Sequence, residues 1–471
     1  MSDPAMIENH TYDEITVGES ASVTRTLSRE DIELFGFVSG DANFTDYEGD
    51  QASERFPHAT AHGMWSAGLI STVLGSVLPG LGTNYVSQNL RFARPIAIGD
   101  TITATVTVKE KQPARRRVVL ACRCVNQAGE EVVTGEAEVE APAEKVHRAP
   151  AVIPDVRISS HDRYRKLIER SARGAAVATA VVHPCSAAAI TAAVDGFEAG
   201  LIRPILVGPE ARMRDAAREA GKDISAFRIV SAPHSHAAAE TAVALIRAGE
   251  AQLLMKGSLH TDELMGAVVP RATGLRTERR ISHVYIMDVP GHSSLMFITD
   301  AAINIEPTLD EKADIIRNAI DLAHVLGIET PRVAILSAVE TVNPEIRSTL
   351  DAAALCKMAD RGQITGAILD GPLAFDNAVS EAAAREKGIV SPVAGKADIL
   401  VVPNLEAGNM LAKQLIFLGG ADAAGIVLGA RVPIILTSRA DSLRTRLASC
   451  AVAVSMVRAA TMAAPGPAEA A

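Results

Sequence analysis

Short apolar runs separated by helical stretches recur through the last two-thirds of the chain, and this alternation constrains the fold more than any other feature. Helical patterns, such as residues 310–326 and 407–417, separate the runs. This alternation is typical of α/β proteins with mostly parallel sheets, and the length of the region predicts two lobes around a cleft. The apolar runs are residues 175–182, 204–207, 253–255, 283–288, 332–337, 366–369, 399–402 and 432–436.

The beginning of the chain follows a different pattern, in which strands dominate. Residues 28–40 predict a short capped helix, and the apolar residues 66–78 predict a longer buried one. Three later segments alternate β-branched with polar residues, which is typical of strands with one buried face. A buried helix followed by antiparallel strands predicts an α+β unit whose sheet wraps around the helix. The three segments are residues 101–108, 117–125 and 131–139.

The two patterns predict how the chain is divided. We expect an N-terminal α+β domain at residues 1–140 and an α/β domain at residues 155–458. The Ala- and Pro-rich residues 141–154 predict a linker between them, and residues 459–471 predict a flexible tail.

Charge and cysteine usage exclude several classes of function. The chain has 46 Lys and Arg against 56 Asp and Glu, a formal net charge of −10, so nucleic acid is not an expected partner. The five cysteines are scattered and without metal-ligand spacing, which predicts a reducing cytoplasm and no metal site. The first residues lack the basic and apolar segments of a signal peptide, and polar residues interrupt the uncharged stretch 56–90. We therefore expect no membrane span.

Small polar and charged residues follow the last apolar run, at the point where a helix is predicted to begin. They include Ser438, Arg439 and Asp441. Ligands of open α/β sheets bind outside the carboxyl ends of the strands, and a helix start offers free N–H groups to an anion. A hydroxyl, a guanidinium and a carboxylate at such a junction predict an anion site with proton transfer. On this pattern alone, Asp441 as a helix cap and Arg439 as a surface ion pair stay open.

Residues 155–458 resemble the phosphate acetyl/butyryl transferase family, more closely its butyryl branch. The matching segments run in order through the whole region. They include LLMKGSLHTDEL (253–264), RRISHVYIMDVP (279–290), FITDAAINIEPTLDEK (297–312), the stretch from SAVETVNPEIR to GPLAFDNAVS (337–380) and SPVAGKADILVVPNLEAGNMLAKQL (391–415).

This resemblance implies an enzyme that transfers an acyl group reversibly between coenzyme A and inorganic phosphate. It also implies a two-lobed α/β fold of the isocitrate and isopropylmalate dehydrogenase type, usually in a dimer or larger homo-oligomer. Acyl-CoA and phosphate are then the substrates, and no tightly bound cofactor is expected. A dehydrogenase activity is not expected, because no G-x-G-x-x-G fingerprint opens a helix.

The family's Ser-Arg pair corresponds to Ser438 and Arg439. The resemblance implies that Ser438 acts on the reacting carbonyl or sulfur and that Arg439 holds phosphate, whose oxygens match the fork of a guanidinium. In the acetyl branch an Asp seven residues after the Ser acts on the thiol proton, and here that residue is Thr445. Asp441 is the nearest carboxylate and is our candidate for the base, with a helix-cap role still open.

Other polar residues of the matching segments are candidates for binding phosphate or coenzyme A. Each also has a simpler interpretation as a surface residue, a helix cap or a turn former. The candidates are Lys256, Gly257, Ser258, Asp376, Asn377, Glu406 and Asn409.

The first part of the chain resembles the MaoC-like dehydratases, which are hot-dog-fold enzymes that add water to trans-2-enoyl-CoA. The resemblance is carried by SGDAN (39–43), AHGMWSAGLISTVLGSVLPG (61–80) and LRFARPIAIGDTITATVTV (90–108). In that family an Asp and a His activate the water, and a Gly at the start of the central helix donates its N–H to the thioester oxygen.

Asp41, Asn43, His62 and Gly63 match the MaoC pattern, but the catalytic His is replaced by Asp46. An unperturbed Asp is ionised near neutral pH and cannot donate a proton, so two carboxylates do not replace an Asp/His pair. We therefore expect a domain that keeps a coenzyme A pocket or a dimer interface without the hydration chemistry. Two alternatives stay open, namely a bifunctional enzyme that also hydrates enoyl-CoA, and a domain that serves only oligomerisation or acyl-CoA sensing.

Overall fold

The structure, a computed structural model, describes residues 6–40, 63–149, 162–292, 294–436 and 442–463. It consists of two compact units, Met1–Ile158 and Ser159–Ala471. Part of the predicted linker belongs to the first unit, because Ala141 is buried and His147–Arg148 pair with Ile7–Glu8.

Among its described residues, the first unit contains a five-stranded antiparallel sheet, two α-helices and a 3-10 turn at Ala114–Arg116. Its strand order is β2-β4-β5-β6-β3, and β1 pairs with β7 in a separate two-stranded sheet. The helices are α1 (Arg29–Ser39) and α2 (Gly63–Ser76). The strands are β1 (Ile7–Glu8), β2 (Ser20–Thr26), β3 (Asn84–Phe92), β4 (Thr101–Gln112), β5 (Arg117–Val125), β6 (Glu131–Glu140) and β7 (His147–Arg148).

Sequence pattern explains most of this unit. Every second residue from Ile102 to Val108 is buried, as expected of a strand with one face on the core. The core of the unit joins these residues to the apolar face of α2, including Ile70 and Val73. At the start of α1, Ser28 and Asp31 form a capping box. The predicted sheet around a buried helix is the arrangement observed.

The second unit is built on one eleven-stranded mixed sheet. Its helices are α3 (Asp162–Ala172), α4 (Ala187–Glu198), α5 (Glu210–Ala220), α6 (Ser235–Arg247), α7 (Thr261–Val268), α8 (Leu309–Val325), α9 (Arg347–Asp360), α10 (Phe375–Val379), α11 (Glu381–Glu386), α12 (Leu405–Phe417) and α13 (Leu443–Ala463). Its strands are β8 (Val177–Val182), β9 (Ile202–Gly208), β10 (Arg228–Ser231), β11 (Leu253–Lys256), β12 (Ser282–Asp288), β13 (Met296–Thr299), β14 (Arg332–Leu336), β15 (Ile368–Leu373), β16 (Ile399–Val401), β17 (Asp422–Leu428) and β18 (Ile434–Ile435).

The sheet order is β10-β9-β8-β11-β18-β17-β12-β13-β16-β14-β15. The first five strands in this order run parallel to one another, and so do the last four. β17 is antiparallel to both of its neighbours, and β12 is antiparallel to β13. As a result, β8, β11, β18 and β12 end at one edge of the sheet, whereas β13, β16, β14 and β15 end at the opposite edge.

Three strands of this sheet were not among the predicted apolar runs. β17, with the sequence DAAGIVL, is rich in Ala and Gly, which have low strand propensity. β10 and β13 have only four residues each, too few for a periodic signal. Every residue of β13 is nevertheless buried, which comes from tertiary packing, whereas none of the four residues of β10 is fully buried.

Candidate active site

Polar residues follow the ends of three neighbouring strands in the second unit. β18 pairs in parallel with β11, where Leu254 is opposite Ile434, and β11 pairs in parallel with β8. Because parallel strands end at the same edge of a sheet, the ends of β8, β11 and β18 lie at one edge, next to one another.

The predicted catalytic residues Ser438, Arg439 and Asp441 lie outside the described residues. The described chain reaches this stretch at Leu436, directly after β18, and continues from Ser442, directly before α13. β18 itself pairs with β11 on one side and with β17 on the other.

Lys256 and Gly257 stand at the end of β11, where the chain turns onto β8. The N–H of Gly257 donates to the carbonyl of Val182 at 2.9 Å, and the N–H of Ser258 donates to the carbonyl of His183 at 3.0 Å. A Cβ at position 257 would collide with the carbonyl oxygen of Val182. Only glycine therefore permits this close approach of the two backbones.

The side chains at this turn are also connected to their neighbours. The hydroxyl of Ser258 donates to the hydroxyl of Ser186, and the latter accepts from the N–H of Ala189 as the N-cap of α4. The ammonium group of Lys256 donates to the carbonyl of Leu259 at 3.3 Å. The positions of the three predicted binding residues 256–258 thus depend on one another.

His183 is a residue at this edge that the sequence analysis did not identify. It follows β8, only 7% of it is exposed, and its φ of 51° lies in the left-handed region. Burial, with a smaller contribution from Arg212, lowers the pKa of its imidazole, so the ring is neutral at pH 7. Its Nδ1 is buried without a hydrogen-bond partner among the described residues. The available signal was a polar residue directly after a buried strand, the same signal that identified Lys256.

Two ion pairs lie at the end of β12 and at the start of β17. Asp288 ends β12 and is directly opposite Asp422, the first residue of β17. Arg163 donates to Asp288 at 2.7 Å, and Arg444 in the first turn of α13 donates to Asp422 at 3.0 Å. Each of two adjacent carboxylates is therefore neutralised by its own guanidinium next to the start of α13.

The remaining predicted binding residues lie elsewhere in the second unit. Asp376 and Asn377 follow β15, and Glu406 and Asn409 follow β16, so the strand directions put them at the opposite edge of the sheet from Lys256.

Their contacts are local. Asn377 is buried and donates to Glu340, and Lys387 pairs with both Glu340 and Asp376. Asn409 donates to the carbonyl of Ala301 at 3.2 Å. Glu406 is exposed in the first turn of α12.

In the first unit, Asp41, Asn43, Asp46 and His62 lie outside the described residues. Gly63 is the first residue of α2, and its carbonyl accepts from the hydroxyl of Ser66 at 2.7 Å.

Across the part of the chain that the structure describes, no group of three or more His, Cys, Asp or Glu residues is arranged to hold a metal ion. No described helix combines the length and apolarity needed to span a membrane.

Comparison with known proteins identifies both units. A family model described as phosphate acetyl/butaryl transferase matches residues 236–454, and a model described as MaoC like domain matches residues 14–127. The first unit thus carries a MaoC-like hot-dog domain, as predicted.

Similar proteins and structures support the assignment of the second unit. A phosphate acetyltransferase of Rhizobium meliloti is 65% identical over 291 residues, which cover 62% of this chain and 92% of the relative. A phosphate butyryltransferase of Clostridium acetobutylicum is 42% identical over 288 residues, which cover 61% of this chain and 94% of the relative. The crystal structure of a branched-chain phosphotransacylase from Enterococcus faecalis has a TM-score of 0.53 at 30% identity and covers 60% of this chain and 99% of that one.

The second unit therefore has the phosphotransacylase fold. The chain belongs to the phosphate acetyl/butyryl transferase family, and the predictions of this family and of its enzyme class, the acyltransferases, are confirmed. The predicted closer resemblance to the butyryl branch is wrong, because the acetyltransferase relative is 65% identical and the butyryltransferase relative 42%.

Proposed function

We propose that the chain transfers a short acyl group reversibly between coenzyme A and inorganic phosphate, with Ser438 and Arg439 at the reacting atoms. The observation that carries this proposal is the parallel pairing of β18 with β11: Ser438 and Arg439 come shortly after β18 in sequence, and β11 ends at Lys256, next to Gly257 and Ser258. A hydroxyl, a guanidinium and an ammonium on adjacent strand ends suit a reaction between a phosphate anion and a thioester.

In this reaction a phosphate oxygen attacks the thioester carbonyl, the C–S bond breaks, and coenzyme A leaves as a thiolate that takes up a proton. Arg439 holds the phosphate through paired N–H donors, and Ser438 donates to the oxyanion or to the departing sulfur. Lys256 adds positive charge for phosphate or for the nucleotide end of coenzyme A. Holding the two substrates together removes most of the entropic barrier to the reaction.

We assign Asp441 to the proton transfer. The position used by the acetyl branch is Thr445, whose N–H donates to Ser442 and whose hydroxyl accepts from it, both at 3.1 Å. Thr445 is thus part of the cap of α13 and carries no carboxylate. In the direction that consumes acyl phosphate and coenzyme A, Asp441 acts as the base that takes the thiol proton, so Asp441→Asn should lower kcat and remove the acidic limb of the pH profile in that direction. An unchanged profile in this variant, with lower thermal stability, would assign Asp441 to helix capping instead.

The substrates are tested by phosphate-dependent release of free thiol from acyl-CoAs of increasing chain length. We expect release from a short acyl-CoA and a requirement for orthophosphate. Because acyl-CoA and phosphate are the only reactants and no tightly bound cofactor is proposed, activity should survive dialysis against EDTA. Wild-type protein that leaves the whole panel intact in phosphate would refute the proposal.

We infer that the second unit is two-lobed in the manner of the isocitrate and isopropylmalate dehydrogenases. The support is the reversal of strand direction at β17, β12 and β13, with a parallel set of strands on each side. Asp376, Asn377, Glu406 and Asn409 belong to the second parallel set and stay our candidates for binding coenzyme A from that lobe, although they lie at the opposite sheet edge from Lys256. Asn409→Ala should then raise the KM for coenzyme A, whereas an unchanged KM would assign this residue to structure alone.

We also propose a cytoplasmic homo-oligomer. In α12 only Gly408 and Ala412 are buried, whereas Met410 and Phe417 are 65% and 71% exposed, and neighbouring Leu418 is 82% exposed. An exposed apolar helix face of this kind is typical of a protein interface. Phe417→Lys should reduce the mass measured by light scattering. A monomeric wild-type protein would refute this, and cell fractionation tests the location.

For the MaoC-like domain we propose retention of a coenzyme A pocket or a dimer interface without hydration. The support is that Asp46 stands where the MaoC pattern has its catalytic His. The test is the absorbance of crotonyl-CoA with the full chain. Water addition that is lost in Asp41→Asn would establish the bifunctional alternative. A change in assembly size or substrate affinity after removal of residues 1–145 would favour oligomerisation or acyl-CoA sensing.

A further inference from the structure

A cavity of about 520 Å³ lies in the second unit, at the sheet edge opposite to the end of β18. Its walls come from residues that precede β11, β12 and β18, from the end of β17, and from α8 and the last turns of α13. We call it the α13 cavity. Its volume is typical of sites for small organic ligands, which combine an apolar lining with a few polar groups.

The charges of the α13 cavity favour a ligand with one negative charge. Arg431 is exposed, and its side chain makes no hydrogen bond or ion pair with the described residues. The N–H of Arg431 donates to the carbonyl of Leu275 at 2.8 Å, which fixes its backbone beside the cavity. Arg279 pairs with Asp321 at 2.6 Å, so Arg431 leaves one positive charge in excess. A ligand with one negative charge is neutralised by this excess positive charge. A ligand with two negative charges would keep one of them and would be repelled by the carboxylate of Asp321.

The apolar lining specifies the rest of the ligand. Val432 and Pro433, which precede β18, and Met456 and Val457 of α13 line the cavity. Aliphatic side chains bind an alkyl chain by burying it from water, and none of the lining residues is aromatic. A guanidinium beside aliphatic side chains therefore fits a carboxylate with a short alkyl chain.

The same two wall segments flank the proposed reaction site. Arg431, Val432 and Pro433 lead into β18 and from it into residues 437–441, whereas α13 begins just after this stretch and reaches the cavity with its last turns. A ligand in the cavity contacts both the strand that enters the site and the helix that leaves it. If the strand and the helix can adopt two arrangements and the ligand binds one of them more tightly, occupancy of the cavity will change the rate of the reaction.

We propose that the α13 cavity is a second binding site, for a short-chain alkyl carboxylate, and that its occupancy changes the rate of acyl transfer. The effect on rate rests on the proposed function, whereas binding does not. A carboxylate of this class is the acid that remains when an acyl phosphate passes its phosphoryl group to an acceptor.

Binding is tested by calorimetry with hexanoate on the full chain. We expect saturable binding that weakens by about tenfold or more in Arg431→Gln, because the charged partner is lost. Arg218→Gln is the matched control, since its guanidinium lies on α5 and is 79% exposed. Ala460→Trp, at an exposed position of the lining, should block binding by filling the cavity. Binding that neither Arg431→Gln nor Ala460→Trp weakens, or the absence of any saturable binding, would overturn the proposal.

The second arm measures initial rates of acyl transfer with and without hexanoate. The wild-type rate should change even at saturating acyl-CoA, and the rate of Arg431→Gln should match the wild type without hexanoate and not respond to it. A hexanoate effect that saturating acyl-CoA abolishes would assign the ligand to the reaction site and overturn the coupling. A wild-type protein without transferase activity that still binds hexanoate through Arg431 would refute the proposed function and keep the cavity assignment.

Discussion

The hydroxyl of Ser258 donates a hydrogen bond to the hydroxyl of Ser186, with 2.9 Å between the two oxygens. The bond connects the turn after β11 to the cap of α4 after β8, so the ends of these two neighbouring strands are held in one arrangement. Ser258 is a predicted binding residue, and its hydroxyl is held in place by Ser186, which is 72 residues earlier in the sequence.

Ser258→Ala and Ser186→Ala test this connection. Ser186→Ala removes an N-cap and should lower the free energy of unfolding by about 1 kcal/mol. Ser258→Ala should raise the KM for phosphate or coenzyme A more than it affects stability, because the turn that carries Lys256 loses a support. The double variant should show a coupling of about 0.5 kcal/mol or more, measured by chemical denaturation and by steady-state kinetics. Additive effects would show that the two hydroxyls act independently.

Gly257→Ala should strongly impair both folding and activity. The new methyl group would collide with the carbonyl oxygen of Val182, and this backbone atom cannot move without separating β8 from β11. The matched control is Gly266→Ala in α7, where an added Cβ meets no atom within 4 Å. The control should be neutral or stabilising by up to about 1 kcal/mol, because alanine favours helix. Equal thermal stability of the two variants would refute the close approach at position 257.

Stability should fall in acid because of His283. This residue is fully buried, neither ring nitrogen has a hydrogen-bond partner within the described residues, and burial lowers the pKa of the imidazole to about 3. Between pH 3 and 6.5 the unfolded chain binds a proton that the folded protein does not. The stability contribution is therefore complete above pH 6.5 and is lost as the pH falls, by about 1.4 kcal/mol per pH unit.

Urea denaturation between pH 7 and pH 5 measures this slope. His283→Leu removes the titrating group and should flatten the slope. The control Val284→Ala lies next to it in β12 and should lower stability equally at all pH values. A slope that is unchanged in His283→Leu would assign the acid sensitivity to other groups.

The ion pair of Arg163 with Asp288 should be far more important for stability than an exposed pair. Asp288 is buried, and its second carboxylate oxygen has no partner in the described part of the chain. Arg163→Leu leaves this charge uncompensated and should cost about 3 kcal/mol. Arg218→Leu breaks an exposed pair with Asp215 and should change stability by less than about 0.5 kcal/mol. Similar losses in the two variants, measured by chemical denaturation, would contradict this difference.

Regular periodicity made much of the fold predictable. The segment 117–125 was predicted as a strand and is β5, because its alternation of buried and exposed residues comes directly from the strand repeat. In contrast, only Ile434–Ile435 of the predicted run 432–436 form a strand. Pro433 lacks an N–H group and cannot donate within the ladder.

The site was predictable only in part. Lys256 and Ser258 were found because polar residues after a buried strand signal the carboxyl edge of a sheet. The reversal of strand direction at β17 has no local signal in the sequence. The sequence therefore did not reveal that Lys256 lies at one edge of the sheet and that Asp376 and Glu406 lie at the opposite edge. The backbone conformation of His183 depends on its contacts with β9 and with the turn after β11, which periodicity does not reveal.

The most direct test of the central proposal is phosphate-dependent thiol release from a short acyl-CoA by wild-type protein, Ser438→Ala and Arg439→Ala. Each variant should lose about 100-fold in kcat, which corresponds to about 2.7 kcal/mol of lost transition-state stabilisation. Arg228→Ala, which removes an exposed guanidinium paired with Glu250, should retain the wild-type rate. Wild-type turnover in both site variants, or intact thioester after incubation of the wild-type protein with orthophosphate, would contradict the proposed reaction site.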